Sequence, residues 1–186
     1  MPFYFAISIV YHEYMKRVFH VSAVVIILAI GMRIFIVDSF IVQGDSMSPA
    51  IQSGDYVFIN KMSYRFHEPM RGDIIVAKPR SAQGHQIIKR VIALPSEIIE
   101  ISSTTIRVKN DRIDEGEALS EPYLALPTNP SVGINKINVD PYEYFVLGDN
   151  RYASIDSREL GSINKWDIKG VVFFVFRFKD FSFKLF

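Results

Sequence analysis

Apolar residues follow one pattern at the start of this chain and another in the rest. Residues 18–37, VFHVSAVVIILAIGMRIFIV, are apolar apart from His20, Ser22, Gly31 and Arg33. At about 1.5 Å per residue, a helix of that length matches the roughly 30 Å hydrocarbon core of a bilayer. The pattern therefore predicts one transmembrane anchor over residues 18–37.

The charges beside this segment predict its orientation. Lys16 and Arg17 precede it and Asp38 follows it, so the positive-inside rule places residues 1–17 in the cytoplasm and residues 38–186 outside. A cleavable signal sequence and a buried core helix are the two alternatives, but the apolar run is long for the first and lacks the polar face of the second. We expect a single-pass protein of the cytoplasmic (inner) membrane.

The rest of the chain alternates short apolar runs with turn signals, which is typical of an all-β domain. The runs are FIV (40–42), YVFI (56–59), DIIVAK (73–78), QIIKRVIAL (86–94), EIIEI (97–101), EYFVLGDN (143–150) and GVVFFVFRF (170–178). Residues 105–114 predict a hairpin that turns at Asn110–Asp111. Apolar density falls over residues 102–140, which predicts a small inserted β subdomain. We therefore expect a mainly β fold after the transmembrane helix.

Charge and cysteine content narrow the range of functions. Lys and Arg number 21 against 20 for Asp and Glu, so the chain lacks the basic excess that nucleic-acid binding requires. The absence of cysteine excludes disulfides, thiolate metal sites and cysteine nucleophiles. We expect no nucleic acid, no metal and no cofactor.

The stretch QGDSMSPAIQSGDYVF (43–58) presents Ser46 as a candidate nucleophile. A serine nucleophile needs a base, most often histidine. The GDS triplet is found in GDSL-type esterases, but these need a histidine near the C-terminus and none follows His85. The G-x-S-x-G elbow also fails because Ser48 replaces its second glycine, and His12-Glu13 lacks the second histidine of a zinc protease.

Lysine is the remaining candidate base, and only a buried lysine has a pKa low enough to act near neutral pH. Lys89 lies within the apolar run QIIKRVIAL, where it alternates with Ile87, Val91 and Ala93. A lysine on an edge strand that discourages aggregation fits the same pattern. Spacing alone does not pair Lys89 with Ser46.

Five features in order resemble the bacterial type I signal peptidases. They are an N-terminal anchor, GDSMSP (44–49), GDYVFI (54–59), KRVIALPSE (89–97) and GDNRYASIDSR (148–158), and IRVKNDRIDEGEALSEPYL is similar to that family's hairpin. The resemblance covers nearly everything after the anchor, and the last motif is highly specific.

The resemblance implies a catalytic pair and a set of supporting groups. Ser46 would be the nucleophile and Lys89 the general base, while Ser154 would orient the lysine amine. A polar scaffold would support them, formed by Asp149, Arg151, Asp156 and Arg158; taken alone, these four would be read as turn residues and surface ion pairs. The Ser46 backbone N–H would serve the oxyanion, since Gly44 lacks the serine hydroxyl that some members place there.

The resemblance also implies the substrate. It would be the signal peptide of an exported preprotein, with small residues at the first and third positions before the cut (A-x-A), bound extended beside Phe40–Gln43 and Gln86–Ile88. Candidate pocket residues are Phe40, Val42, Gln43, Met47, Gln86, Ile87 and Ile88, although core packing explains several of them equally well. The lipid bilayer would be the second partner, and we expect a monomer.

The sequence departs from the family pattern at Ala50, Ala93, Ser96 and Glu97, which leaves the Ser/Lys chemistry intact and bears on specificity. Two other hypotheses remain at this point. One is the related class of self-cleaving repressors, which shares a Ser/Lys pair. The other is a catalytically silent, membrane-tethered β module that binds exported chains.

Overall fold

The computed structural model describes residues 2–35, 37–110, 113, 115–124 and 136–186, with the side chains of the first helix described over residues 11–31. The helices are α1 (Pro2–Phe35), α2 (Ser63–Phe66) and α3 (Ser157–Leu160). The strands are β1 (Val37–Ile41), β2 (Tyr56–Asn60), β3 (Ile74–Ala77), β4 (Ile87–Ala93), β5 (Ile98–Ile101), β6 (Ile106–Lys109), β7 (Glu117–Ala118), β8 (Lys136–Asn138), β9 (Glu143–Leu147), β10 (Ile163–Asn164), β11 (Ile168–Arg177) and β12 (Ser182–Leu185). The chain divides into two compact units, residues 1–37 and 38–186.

Within the first unit, Pro2–Phe35 form one continuous helix. Its stretch Tyr11–Gly31 has the length and composition of a membrane span, with a mean hydropathy of 1.6. The helix ends at Phe35, and Val37 already belongs to β1, so the predicted apolar segment runs two residues past the helix end.

The second unit is mainly β, as the sequence predicts. Its larger sheet has eight strands in the order β1-β2-β11-β3-β4-β9-β10, with β12 paired to β11. Its smaller sheet has the order β7-β6-β5-β8. Because β4 lies between β3 and β9, its residues 88–93 are all buried. β9 pairs with β4 only from Arg90 onward, but Lys89 is 4% exposed, so it cannot act as a solvent-facing lysine that protects a sheet edge, and that interpretation is wrong.

A register shift between Val91 and Ala93 interrupts the predicted alternation along β4. At such a bulge two successive residues turn to the same side. Ile92 and Ala93 accordingly share one buried cluster, in which they pack against Ile99 and Phe145. This cluster joins the two sheets.

The hairpin predicted over residues 105–114 has a different second strand. β6 pairs with β7, in the register Arg107↔Ala118 and Val108↔Glu117, whereas Ile113 is 94% exposed. Ile113 therefore contributes no buried side chain to a second strand, and β7 supplies that strand instead. Asp111, part of the predicted turn, lies outside the described residues.

Candidate active site

Ser46 lies in a turn that connects β1 with β2. Backbone bonds from Val42 N–H to Asp55 O and from Gly54 N–H to Val42 O, both 2.9 Å, close the base of the turn. Met47, Ala50 and Ile51 are buried in the core of the larger sheet, which anchors the turn from below. Ser46 itself is half-buried, so its hydroxyl is held at the border between core and solvent.

Lys89 meets this serine although 43 positions separate them in the chain. Lys89 Nζ donates a hydrogen bond of 2.8 Å to Ser46 Oγ, and Lys89 is only 4% exposed. Burial lowers the pKa of Lys89 from 10.5 to about 8; the negative charges of Asp156 and Asp149 oppose this fall, and Arg158 adds to it. Above that pH the neutral amine can accept the serine proton, so the pair has the geometry and the basicity for general-base catalysis.

The 148–156 loop, between β9 and α3, packs directly against the serine turn. Asn150 N–H donates to the Ser46 carbonyl at 3.0 Å. Gly148 lies so close that a Cβ built on it would be 2.4 Å from Ser46 O and 2.2 Å from Ser154 Oγ. Only glycine fits this position, and the loop therefore fixes the backbone of Ser46.

The four predicted scaffold residues are buried and do not form surface ion pairs. Exposed fractions are 4% for Asp149, 3% for Arg151, 0% for Asp156 and 8% for Arg158. Arg158 binds both oxygens of Asp156 at 2.8 Å, and the same carboxylate accepts Gly148 N–H at 3.0 Å. The interpretation as surface ion pairs is therefore wrong, whereas the interpretation as turn residues is correct, since Arg151 lies in a turn and Asp156 caps α3.

Ser154 does not make the hydrogen bond to Lys89 that the family resemblance implies. Ser154 Oγ is buried and has no hydrogen-bond partner among the described residues. Its oxygen faces Gly148, while the Lys89 amine donates to Ser46. The hydroxyl is therefore near the catalytic candidates without holding the amine in this structure.

A cleft of about 490 Å³ opens beside Ser46 and Lys89. All seven predicted pocket residues, Phe40, Val42, Gln43, Met47, Gln86, Ile87 and Ile88, line it, and so do Ala153 and Ile155, which the sequence did not indicate. β1 is the edge strand of its sheet. β9 pairs with β4 only from Arg90 to Ala93, which leaves residues 87–89 unpaired on that side among the described strands. Two backbone edges thus face the cleft.

Comparisons with known proteins identify the family of this chain. The family model described as "Signal peptidase, peptidase S26" matches residues 15–177. The chain belongs to the signal peptidase family. It is 33% identical over 171 residues to a probable signal peptidase I-1 of Synechocystis sp., covering 88% of this chain and 83% of that protein. It is 36% identical over 163 residues to signal peptidase I P of Bacillus subtilis subsp. natto, covering 82% and 83%.

Among solved structures, one match is a signal peptidase I from Enterococcus faecalis V583, at 33% identity. Its TM-score is 0.45, over 56% of this chain and 97% of that one. Membership of the signal peptidase family makes this protein a serine endopeptidase. No cluster of three or more potential metal ligands is found within the described part of this family member.

Sequence reasoning missed several residues that support the site of this signal peptidase. Arg90, next to Lys89, binds Asp149 through Nε at 2.8 Å and Nη2 at 2.6 Å, and both side chains are buried. The Lys-Arg pair inside an apolar run was the available signal for Arg90. Glu121 and Tyr123, which contact Arg151 and Arg90, lie in a polar stretch with no periodicity to reveal them.

The departures from the family pattern occupy defined structural positions. Ala50 and Ala93 are buried in the core. Ser96 has a φ of 66°, in the left-handed region where glycine is favoured. Glu97 accepts hydrogen bonds from Arg71 at 2.6 Å and from Leu94 N–H at 2.7 Å, so the longer acid closes the turn between β4 and β5.

Proposed function

We propose that this protein is a membrane-anchored endopeptidase that removes N-terminal signal peptides from exported preproteins. It would cut after small residues of the A-x-A type, through an acyl-enzyme formed on Ser46 with Lys89 as general base. The observation that carries the proposal is the 2.8 Å contact between a buried lysine amine and a serine hydroxyl at the floor of an extended cleft.

Acylation begins with Lys89 neutral, which its low pKa of about 8 permits. As Ser46 Oγ attacks the carbonyl carbon before the cleavage site, its proton passes to Lys89 Nζ. The carbonyl oxygen becomes an oxyanion, and we assign the Ser46 backbone N–H as its donor. Lys89 then gives the proton to the leaving amine, the C–N bond breaks, and the signal peptide remains as an ester on Ser46.

Deacylation repeats these steps with water. Lys89 takes a proton from a water molecule that attacks the ester carbonyl, and the proton returns to Ser46 Oγ as the bond breaks. The signal peptide leaves with a free carboxylate. The scaffold of Asp149, Arg151, Asp156 and Arg158 keeps the 148–156 loop closed over Lys89 through both halves, and the orienting role of Ser154 stays a prediction.

Substrate recognition follows from the backbone edges of the cleft. An extended peptide can pair with Phe40–Gln43 on one side and Gln86–Ile88 on the other, since neither edge is saturated there. Val42, Met47 and Ile88 line the cleft and are largely buried, so they form an apolar wall that core packing holds in place. We propose that this wall accepts small residues at the first and third positions before the cut.

Membrane anchoring is the third element of the proposal. The apolar segment 18–37 would cross the cytoplasmic membrane once, with residues 1–17 inside and the catalytic domain 38–186, including its subdomain over 102–140, on the outer side. Exposed aromatic side chains on the β11–β12 hairpin, among them Phe178, Phe181 and Phe183, provide a surface for lipid contact. The enzyme would act as a monomer.

Cleavage of a synthetic preprotein with Ala-x-Ala before the cut tests the proposal. The full-length protein in detergent is compared with Ser46→Ala and with Ser48→Ala, a matched variant two positions away. We expect cleavage by the parent and by Ser48→Ala and none by Ser46→Ala. Cleavage by Ser46→Ala at the rate of the parent, or no cleavage by the parent, would overturn the proposal.

A further inference from the structure

A short segment that leaves the smaller sheet runs back against the candidate site. Residues 119–124, LSEPYL, follow β7 and are called the strap here. Leu119 N–H donates to Ile106 O at 2.9 Å and its side chain packs on the cluster between the sheets. A turn bond from Leu124 N–H to Glu121 O, 3.2 Å, shapes its other end. The strap is thus attached to the smaller sheet at Leu119 and folded beyond it.

Two side chains of the strap contact the groups behind Ser46 and Lys89. The Arg90 guanidinium lies 4.0 Å from the centre of the Tyr123 ring, a cation–π geometry. Glu121 forms an ion pair with Arg151, and their side chains are only 9% and 1% exposed. Tyr123 OH donates to Glu121 at 2.7 Å, which ties the two contacts together. Neither strap residue lines the cleft.

From these contacts, two short routes lead to the catalytic candidates. Arg151 Nε donates to Gly148 O at 3.1 Å, and Gly148 packs against the carbonyl of Ser46. The second route is through Arg90, which follows Lys89 in the chain and holds Asp149 with two hydrogen bonds. The strap therefore contacts both the loop that fixes Ser46, through Arg151, and the strand that contains Lys89, through Arg90.

We propose that Glu121 and Tyr123 are positioning residues, through which the strap keeps the 148–156 loop closed over the Ser46–Lys89 pair. This rests on the proposed function. The smaller sheet then contributes to catalysis without touching substrate, because its strap fixes the distance between Ser46 and Lys89 and excludes water from the Lys89 amine.

Loosening the strap has two consequences for the reaction. A shift of about 1 Å in a catalytic group can cost on the order of a hundredfold in rate. Water that enters behind the loop also rehydrates Lys89, whose low pKa is caused chiefly by burial. The charged groups facing Lys89 are Asp156, Asp149 and Arg158, and all belong to or follow the loop that the strap holds.

The test compares Glu121→Gln with Glu117→Gln in the full-length protein. Both variants remove one carboxylate from neighbouring parts of the chain, but Glu117 is exposed on β7. Rates are expressed per active site, counted by titration with an acylating inhibitor, so that loss of folded protein does not count as loss of catalysis. The pH dependence of kcat/KM is recorded for each.

We expect Glu121→Gln to lower kcat by about a hundredfold with KM for the peptide nearly unchanged, because the strap does not line the cleft. The acid limb of kcat/KM for Glu121→Gln should move to higher pH, because the pKa of a rehydrated Lys89 rises toward the ordinary lysine pKa. Glu121→Asp, which keeps the charge, should recover part of kcat, and Glu117→Gln should match the parent.

Parental kcat per active site and an unmoved acid limb in Glu121→Gln would overturn the inference. If Glu121→Gln does not fold, Tyr123→Leu is tested instead, because it removes the ring that contacts Arg90 and keeps every charge. A parental kcat and an unmoved acid limb in Tyr123→Leu would also overturn the inference. An active parent that is silenced by Ser46→Ala separates failure of the strap from failure of the proposed function. An inactive parent refutes both.

Discussion

Alanine in place of Gly148 adds one methyl group at the closest backbone contact of the candidate site. Its Cβ would lie 2.2 Å from Ser154 Oγ, 2.4 Å from Ser46 O and 2.5 Å from Ser154 Cβ. Ordinary contact starts near 3.4 Å, so the Ser46 backbone would have to withdraw by about 1 Å. The Ser46 carbonyl is also held by Asn150 N–H, which resists that movement.

The expected cost has a stability part and a catalytic part. Overpacking of this kind destabilises proteins by about 1–3 kcal/mol. Displacing Ser46 by about 1 Å from Lys89 should reduce kcat by on the order of a hundredfold. Gly148 does not have a positive φ, so the effect comes from contact with neighbours and not from backbone strain.

Gly170→Ala provides the matched control. Its Cβ would meet Asn60 O at 2.5 Å, a comparable clash with a backbone carbonyl, but Gly170 does not line the cleft. Urea unfolding measures the free energy of unfolding. Cleavage of the synthetic preprotein measures kcat, which is expressed per titrated active site. We expect both variants to lose stability and Gly148→Ala alone to lose kcat. Parental kcat in Gly148→Ala, or equal losses of kcat in the two variants, would refute the reasoning.

Three further predictions concern Lys89 and Ser96. First, kcat/KM should rise through an acid limb near pH 8, because only neutral Lys89 is a base, and Lys89→Arg should be inactive; a limb absent above pH 6 would contradict this. Second, Lys89→Met should be inactive yet more stable than the parent at pH 7 by about 3 kcal/mol, since the native state binds the lysine proton less tightly than the unfolded state does. Parental stability should rise with pH between about 8 and 10.5 as this cost disappears, which urea unfolding at several pH values would detect; lower stability of Lys89→Met at pH 7 argues against it. Third, Ser96→Gly should stabilise the protein by about 0.5 kcal/mol by relieving the left-handed φ, with thermal unfolding as the measurement and a loss of stability as the contrary result.

Strands with strong local patterns were predictable from the sequence. β2, β3, β4 and β9 lie within apolar runs rich in β-branched residues, and their burial follows from central positions in the sheets. β12 was not predicted, although Phe183 and Leu185 alternate with Ser182 and Lys184. Both apolar residues are 70% exposed, so the alternation does not reflect burial, and the strand depends on pairing with β11. β7 has two exposed residues and carries no pattern to read.

The candidate site was predictable only in part. Ser46 and Lys89 lie on a turn and a strand that 43 positions separate, and no periodicity relates them; family resemblance alone joined them before the structure was known. The burial of Asp149 and Arg151 likewise depends on partners far along the chain, Arg90 and Glu121. Such long-range contacts leave no local trace in one sequence.

Covalent trapping of the nucleophile tests the central claim most directly. The full-length protein is treated with an acylating serine-protease inhibitor across a pH series, and the modified residue is located by peptide fragmentation in a mass spectrometer. We predict one adduct on Ser46, formed faster as the pH rises through about 8, retained in Ser48→Ala and lost in Lys89→Met. An adduct on another residue, or undiminished labelling of Ser46 in Lys89→Met, would contradict the Ser/Lys account.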